Sequence, residues 1–273
     1  MSHSTWMRYF SPSPGHRRLG LVCLGVGLQE GVLPTVGPRA LDHHVAVVVT
    51  RGRGWFASGG GPARKVTAPV LLWLVPGVQH HYAPDPETGW EECFVDFTGS
   101  GVAAYTDLGY VTPHSPVVPL AETAEVRHIV EGIVRAARRE SPLLDVEAAA
   151  AVHALLVALR YARVEVSRRG DTVMEVLARD ALLPVPVAEH AARLGMPLAE
   201  LRSVVRRITG EGVKEYLLGI RLGRAKELLV RTDLPVAAVA RRVGYEDASY
   251  FSRLFSRRVG MAPVRFREQR RGR

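Results

Sequence analysis

Two stretches near the C-terminus repeat one another, and the repeat leaves few folds open. Val187-Ala188-Glu189-His190-Ala191-Ala192-Arg193-Leu194-Gly195 aligns with Val236-Ala237-Ala238-Val239-Ala240-Arg241-Arg242-Val243-Gly244. After a one-residue difference in length, Leu201, Val205 and Gly210 align with Phe251, Phe255 and Gly260. Each unit reads as a short helix, a glycine-led turn and a second helix. A small alanine (Ala191, Ala240) lets the second helix cross the first closely, and Gly195 or Gly244 supplies a positive-φ turn. A helix-turn-helix written twice within about 75 residues is an arrangement suited to two adjacent turns of a DNA duplex.

Charge follows the repeat. Residues 171–273 carry 20 Lys and Arg against 12 Asp and Glu, an excess of +8, whereas residues 1–170 carry 16 against 15, only +1. A basic excess confined to the segment that bears the repeat is what phosphate binding requires. An arginine-rich composition alone would spread along the whole chain.

The remaining bulk properties exclude other classes. A length of 273 residues suits about two domains, and 47% apolar residues give each a core. The longest apolar run, Pro69 to Val75, stops at Pro76-Gly77 and falls short of the ~18 residues that cross a bilayer. Arg8 is followed by no apolar stretch of the kind a secretory signal has, so the expected location is the cytoplasm, with no membrane partner. Cys23 and Cys93 lack Cys-x-x-Cys or Cys/His spacing; reduced packing residues are expected, and no zinc site.

The first part of the chain reads as β. His44 to Thr50 is a β-branched run, Arg51-Gly52-Arg53-Gly54 a turn, and Trp55-Phe56 opens a second strand closed by Ser58-Gly59-Gly60-Gly61-Pro62. Val70 to Val75 is a buried strand. Glu91 to Phe97 alternates, with Glu92, Phe94 and Asp96 on one face and Cys93, Val95 and Phe97 on the other. Short strands with Gly/Pro turns predict a small sandwich or barrel over residues ~20–110.

From Ala121 the period becomes helical. Val126, Ile129, Val130, Ile133, Val134 and Ala137 form one stripe, Ser141-Pro142 interrupts, and Val152, Leu155, Leu156 and Leu159 form another. This pair either caps the β domain or makes a dimer interface, and the leucine stripe is assigned to self-association. Ser167-Arg168-Arg169-Gly170 is the expected linker. Between the repeated units, Val213 to Arg231 keeps Leu218, Leu222, Ala225 and Leu229 on one face; such a helix is ~28 Å long and suits recognition helices ~34 Å apart.

The segment Gly244-Tyr245-Glu246-Asp247-Ala248-Ser249-Tyr250-Phe251-Ser252-Arg253-Leu254-Phe255, continued by Gly260-Met261-Ala262-Pro263-Val264-Arg265-Phe266-Arg267, resembles the signature of the AraC/XylS family of bacterial transcription regulators. Arg221-Leu222-Gly223-Arg224-Ala225-Lys226-Glu227-Leu228-Leu229 is similar to that family's linker-helix motif. The close resemblance covers residues 171–267, and the β part resembles more weakly the cupin-like effector domain of the arabinose-regulator branch.

The resemblance implies a multidomain α+β chain. Residues 1–119 would form a cupin-like effector-binding β-sandwich or barrel with an N-terminal arm, 120–166 a helical dimerisation pair, 167–170 the linker, and 171–273 an all-α double helix-turn-helix domain. It also implies roles. In the second unit the recognition helix runs from about Asp247 to Val259, with Arg253, Ala248, Ser249 and Ser252 toward the groove and Phe251 and Phe255 in the core. In the first, from Leu198 to Ile208, Ser203 replaces the usual arginine, Val205 the core aromatic, and Pro197 starts the helix. Arg202 and Glu200 remain as readers there. Arg206, Arg207, Arg257 and Arg258, beyond the N-terminal halves, are assigned to phosphates.

Arg39, Tyr82, Glu92 and Phe94 fall where the arabinose-type regulators line a sugar pocket with an arginine, a tyrosine, a histidine and a tryptophan. The implied effector is a small molecule of carbohydrate type. The competing reading has Tyr82 and Phe94 filling the core and Glu92 facing water.

The expected partners are double-stranded promoter DNA, the effector, RNA polymerase and a second copy of the chain. No cofactor, metal or catalytic residue is expected. A cupin-type metalloenzyme would need about two His and a Glu converging, whereas His80 and His81, like His43 and His44, are adjacent and point to opposite faces of a strand. An effector-independent DNA-binding protein would not need a β domain of about 110 residues.

Overall fold

The computed structural model describes residues 4–164 and 166–271. The chain divides into two compact units, Met1–Arg168 and Arg169–Arg273.

The first unit is built around one long strand. β4 (His44–Ser58) pairs through its first half with β6 (Val70–Leu74) and β8 (Trp90–Thr98), and through its second half with β5 (Arg64–Thr67) and β7 (His80–Pro84). The sequence around Arg51–Gly54, expected as a turn, instead continues the strand. A register shift lies between Val49 and Arg51, and Gly52 takes φ 89°. A Cβ on Gly52 would stand 2.5 Å from the Gly89 carbonyl oxygen. The glycines there admit a bulge that bends one strand from one sheet into the other, so the chain need not reverse.

β8 pairs in turn with β2 (Val22–Gly31), and β2 with β1 (Ser4–Tyr9), so residues before position 20 contribute an edge strand that hydrophobic patterning did not reveal. β3 (Val36–Arg39) pairs with β7, and β9 (Val117–Pro119) with β6; every pairing is antiparallel. Short helices α1 (Pro14–Arg17) and α2 (Val102–Asp107) lie between strands.

The alternation along β8 divides the core in two. Phe94 joins Val45, Val47, Phe56, Leu72, Leu74, Tyr82 and Trp90 in an interior cluster between the sheets. Cys93, Val95 and Phe97 face outward with Ala46, Val48, Leu71 and Trp73, and there α3 (Ala124–Arg138) and α4 (Leu144–Tyr161) cover the sheet. The Val152, Leu155, Leu156 and Leu159 stripe, assigned to self-association, is 0–1% exposed inside this cluster. It is internal core, because the outer sheet face offers it more apolar surface than α3 alone. Cys23 and Cys93 are buried free thiols in the same cluster, as expected.

The second unit is helical. Residues 167–170, expected as an irregular linker, lie inside α5 (Val166–Arg179). One interior glycine costs a helix only ~1 kcal/mol, less than burying Val173 and Leu177 further along it contributes. α6 (Val187–Arg193) and α7 (Leu198–Thr209) form the first helix pair, α9 (Val236–Arg242) and α10 (Ala248–Val259) the second. α8 (Val213–Arg231) connects them and belongs to both cores: Val213 and Leu217 pack with Leu201 and Val205, while Leu222, Ala225 and Leu229 pack with Phe251 and Phe255. α11 (Pro263–Arg271) closes the second core through Phe266.

Candidate nucleic-acid interface and effector cavity

The two helix pairs share a local design. Ala191 and Ala240 are 2% and 0% exposed at the helix crossings, and Gly195 and Gly244 turn the chain at φ 63° and 84°. At Gly244 a Cβ would meet the Leu182 carbonyl oxygen at 2.6 Å, so space as well as φ demands glycine.

The second helices begin differently. The Asp247 side chain caps α10 by accepting from the amides of Ser249 and Tyr250, which holds its carboxyl below the usual range. In the first unit Pro197 is itself the N-cap of α7, one position before the helical start expected for it, and offers no side-chain acceptor.

On α10, Ser249, Arg253 and Arg257 are exposed while Phe251 and Phe255 are fully buried, which separates a solvent face from a core face. Arg253 makes no ion pair among the described residues. Ser252 is half-buried and donates its hydroxyl to the Ala248 carbonyl oxygen at 2.8 Å. Ala248, placed by resemblance toward the groove, packs partly against the core of the second unit. Arg258, assigned to phosphate, pairs instead with Glu215 of α8 at 2.7 Å; the crossing of α8 past the end of α10 brings the two within reach. On α7, Glu200, Arg202, Ser203, Arg206 and Arg207 are all exposed, opposite Leu201, Val204 and Val205.

In the first unit a cavity of about 400 Å³ opens between the sheets. Arg39, Tyr82 and Phe94 line it, joined by Tyr9, Gln29, His43 and Asp96 and by apolar walls from Val45, Val47 and Leu74. Arg39 is exposed at the rim of β3, whereas Tyr82 and Phe94 are 5% and 6% exposed. Burial raises the Tyr82 phenol well above its ordinary range, helped by the Glu92 carboxyl.

Glu92 is not among the residues lining this cavity. It lies two positions before Phe94 on the same interior face of β8, 2% exposed, so the reading in which it faces water also fails. Burial pushes its carboxyl up to about 7, while the Trp90 indole draws it back at a geometry short of a hydrogen bond.

The residue that sequence reasoning passed over is Asp96, two positions beyond Phe94 on that face. Its side chain is 8% exposed, and burial pushes its pKa up to about 6 against the pull of His43 in its protonated form and of Arg39. The alternation of β8 already placed Asp96 inside. His43 stands before β4 and points into the cavity, while His44 stacks on Phe97 with ring centroids 5.6 Å apart on the other face. His80 likewise lies by Tyr82 and His81 against Trp55, on opposite sides of β7. Among the described residues no cluster of His, Cys, Asp or Glu suits a metal ion, and no helix is long and apolar enough to cross a membrane.

Two family matches divide the chain as the structure does. Residues 32–156 match the AraC-like ligand binding domain and residues 190–269 a helix-turn-helix domain. The MmsAB operon regulatory protein of Pseudomonas aeruginosa is 28% identical over 84% of this chain and 76% of its own length. The lactose operon transcription activator of Staphylococcus xylosus is 22% identical over 88% of this chain and 90% of its own. The HTH-type transcriptional activator RhaR of an Enterobacter species is 46% identical, but over 26% of this chain and 25% of that protein.

Proposed function

Because the chain belongs to the AraC family of transcription regulators, with a ligand-binding domain ahead of a helix-turn-helix DNA-binding domain, we propose that it binds promoter DNA through α7 and α10 under the control of a neutral, hydroxyl-bearing effector in the cavity of the first unit. The observation that carries the DNA reading is the exposed Arg253, in no ion pair among the described residues, on the solvent face of a capped helix whose other face is core. Arg253 reads a base edge and Arg206, Arg207 and Arg257 contact phosphates. On α7, Glu200 and Arg202 are the readers.

The cavity supports a carbohydrate-type effector. Arg39 at its rim disfavours an amine, buried Asp96 disfavours a carboxylate at depth, and Tyr82, Phe94, Val45 and Val47 offer surface to the apolar face of a sugar ring. The relatives whose names mention the lactose operon and RhaR fit an effector-controlled activator of this kind.

Self-association moves to the other side of α4. Val146, Val157 and Tyr161 are 44%, 38% and 62% exposed, and Ala150 and Ala154 between them are exposed as well. With a helical period this is a continuous small-and-apolar strip, suited to a second copy of the same helix in a homodimer. Bound at a promoter in the cytoplasm, the dimer meets RNA polymerase as its further partner and acts by binding, without catalysis.

Selection of fragments of the source genome by the full-length protein, with and without a sugar panel, tests this reading. Enrichment of a discrete site, shifted in affinity by one sugar, is the expected result. Uniform retention of all fragments would overturn it.

A further inference from the structure

We propose that Asp96 and His43 form a subsite that reads a vicinal diol of the effector. The proposal rests on the reading of this cavity as the effector site and assigns the chemistry at its floor.

The geometry begins with Asp42. Its Oδ1 stands 2.7 Å from Nδ1 of His43. A carboxylate only accepts, so Nδ1 carries the proton, and in the neutral form of the ring Nε2 is left as an acceptor at the cavity. Nε2 lies 3.9 Å from Oδ2 of Asp96, beyond hydrogen-bond reach. Asp96 makes no hydrogen bond among the described residues. With the His43 ring neutral, the floor thus presents two acceptors side by side, 3.9 Å apart, one of them on a carboxylate whose side chain is 8% exposed.

The space above Asp96 is made by a glycine. β2 bulges between Cys23 and Gly25, which sets Gly25 opposite Asp96. A Cβ on Gly25 would stand 2.6 Å from Asp96 Oδ2 and 2.6 Å from Cδ1 of Tyr9. Any side chain there would displace the carboxylate or the ring, so the bulge and the glycine together keep Asp96 turned into the cavity.

Two adjacent acceptors call for two adjacent donors. Neighbouring hydroxyls of a sugar or polyol each donate one hydrogen bond, one to Asp96 Oδ2 and one to His43 Nε2, and each retains lone pairs for Tyr9 or Arg39. A carboxylate or ketone offers no proton to either acceptor. An ammonium would supply protons but also face the Arg39 guanidinium, which already acts on Asp96. The class that fits is a neutral compound with a vicinal diol.

The test is calorimetric titration of the full-length protein with neutral aldopentoses and aldohexoses, with deoxy and O-methyl analogues of whichever binds, and with a primary amine series. One sugar should bind, and Asp96→Asn and His43→Gln should each weaken it ~10- to 100-fold, the cost of a charged or buried partner lost. The deoxy analogue lacking one of the two hydroxyls should bind weakly to the unaltered protein and lose little more in the matching variant. Retained DNA binding in both variants checks folding, and His43→Gln, at a half-buried site outside the strands, serves where Asp96→Asn does not fold. Unchanged sugar affinity in both variants, with loss in Phe94→Ala, overturns the subsite and leaves the cavity reading standing. Binding of an amine in place of every sugar overturns the diol assignment. Binding of nothing in the panel overturns the carbohydrate reading and this inference with it.

Discussion

Arg258 Nη2 donates to Glu215 Oε1 at 2.7 Å, so the last turn of α10 is tied to the first turn of α8 by two half-exposed charges. Such pairs contribute ~0–1 kcal/mol to stability, yet on the proposed reading this one would withhold a cation from DNA. Glu215→Gln should free Arg258 for a phosphate and make the slope of log K against log salt steeper by ~0.9. Filter binding or fluorescence anisotropy at several salt concentrations measures it; an unchanged slope would mean that Arg258 points away from the duplex. For the unaltered protein with ~6 phosphate contacts, affinity should fall ~10³-fold between 50 and 200 mM salt.

Arg253→Ala separates base reading from phosphate contact. Loss of a bidentate arginine should cost ~1–3 kcal/mol on the selected site and little on random DNA. Equal losses on both sequences would make Arg253 a phosphate ligand.

The two faces of α4 should respond oppositely. Leu155→Ala, made in a residue 1% exposed, should cost ~2–5 kcal/mol of stability and leave oligomeric state unchanged. Val157→Glu with Tyr161→Glu should leave stability nearly unchanged and yield monomers in sedimentation. A dimer that survives the double change would place self-association elsewhere.

Glu92 should make the first unit less stable as pH rises. Its folded pKa of about 7 exceeds the ordinary 4.5, so between those values the folded state holds a proton that the unfolded chain has released. That contribution is present in full below pH 4.5, is lost as pH rises toward 7, and changes no further above it. At about 1.4 kcal/mol per unit the whole effect is ~3 kcal/mol. Glu92→Gln should therefore gain stability relative to the unaltered protein across that window. Parallel stability curves in denaturant titrations from pH 4.5 to 8 would rule out a buried, proton-retaining Glu92.

Asp247 is the only side-chain cap at the start of α7 or α10, since Pro197 occupies that place on α7. Asp247→Ala should cost ~1 kcal/mol of stability in the second unit, while Pro197→Ser should gain a fraction of that in the first. Thermal unfolding of both variants checks the asymmetry.

Much of this protein was legible along the chain. The repeated Ala-to-Gly spacing, the phenylalanines at 251 and 255 and the confined basic excess specify two helix-turn-helix units, because a helical period and a positive-φ glycine are local properties. The alternation through Glu92, Phe94 and Asp96 likewise assigns those residues to one face of a strand. Tertiary structure alone decided which partner each face meets. The leucine stripe of α4 satisfies a core or a dimer equally well as a pattern, and only the outer sheet face built from β2, β4, β6 and β8 claims it for the core. Arg51–Gly54 reads as a turn until β5, β7 and β8 pair on both sides of β4 and stretch it into a bulge. Arg258 is one more exposed arginine until α8 brings Glu215 beside it. The candidate site follows the same division: strand periodicity places Asp96 inside, but its approach to His43, across more than fifty residues of intervening chain, exists only once the strands are paired. Hydrophobic and conformational periods act over a few residues, whereas burial, charge pairing and cavities depend on which distant segment arrives opposite, and that information lies in the packing.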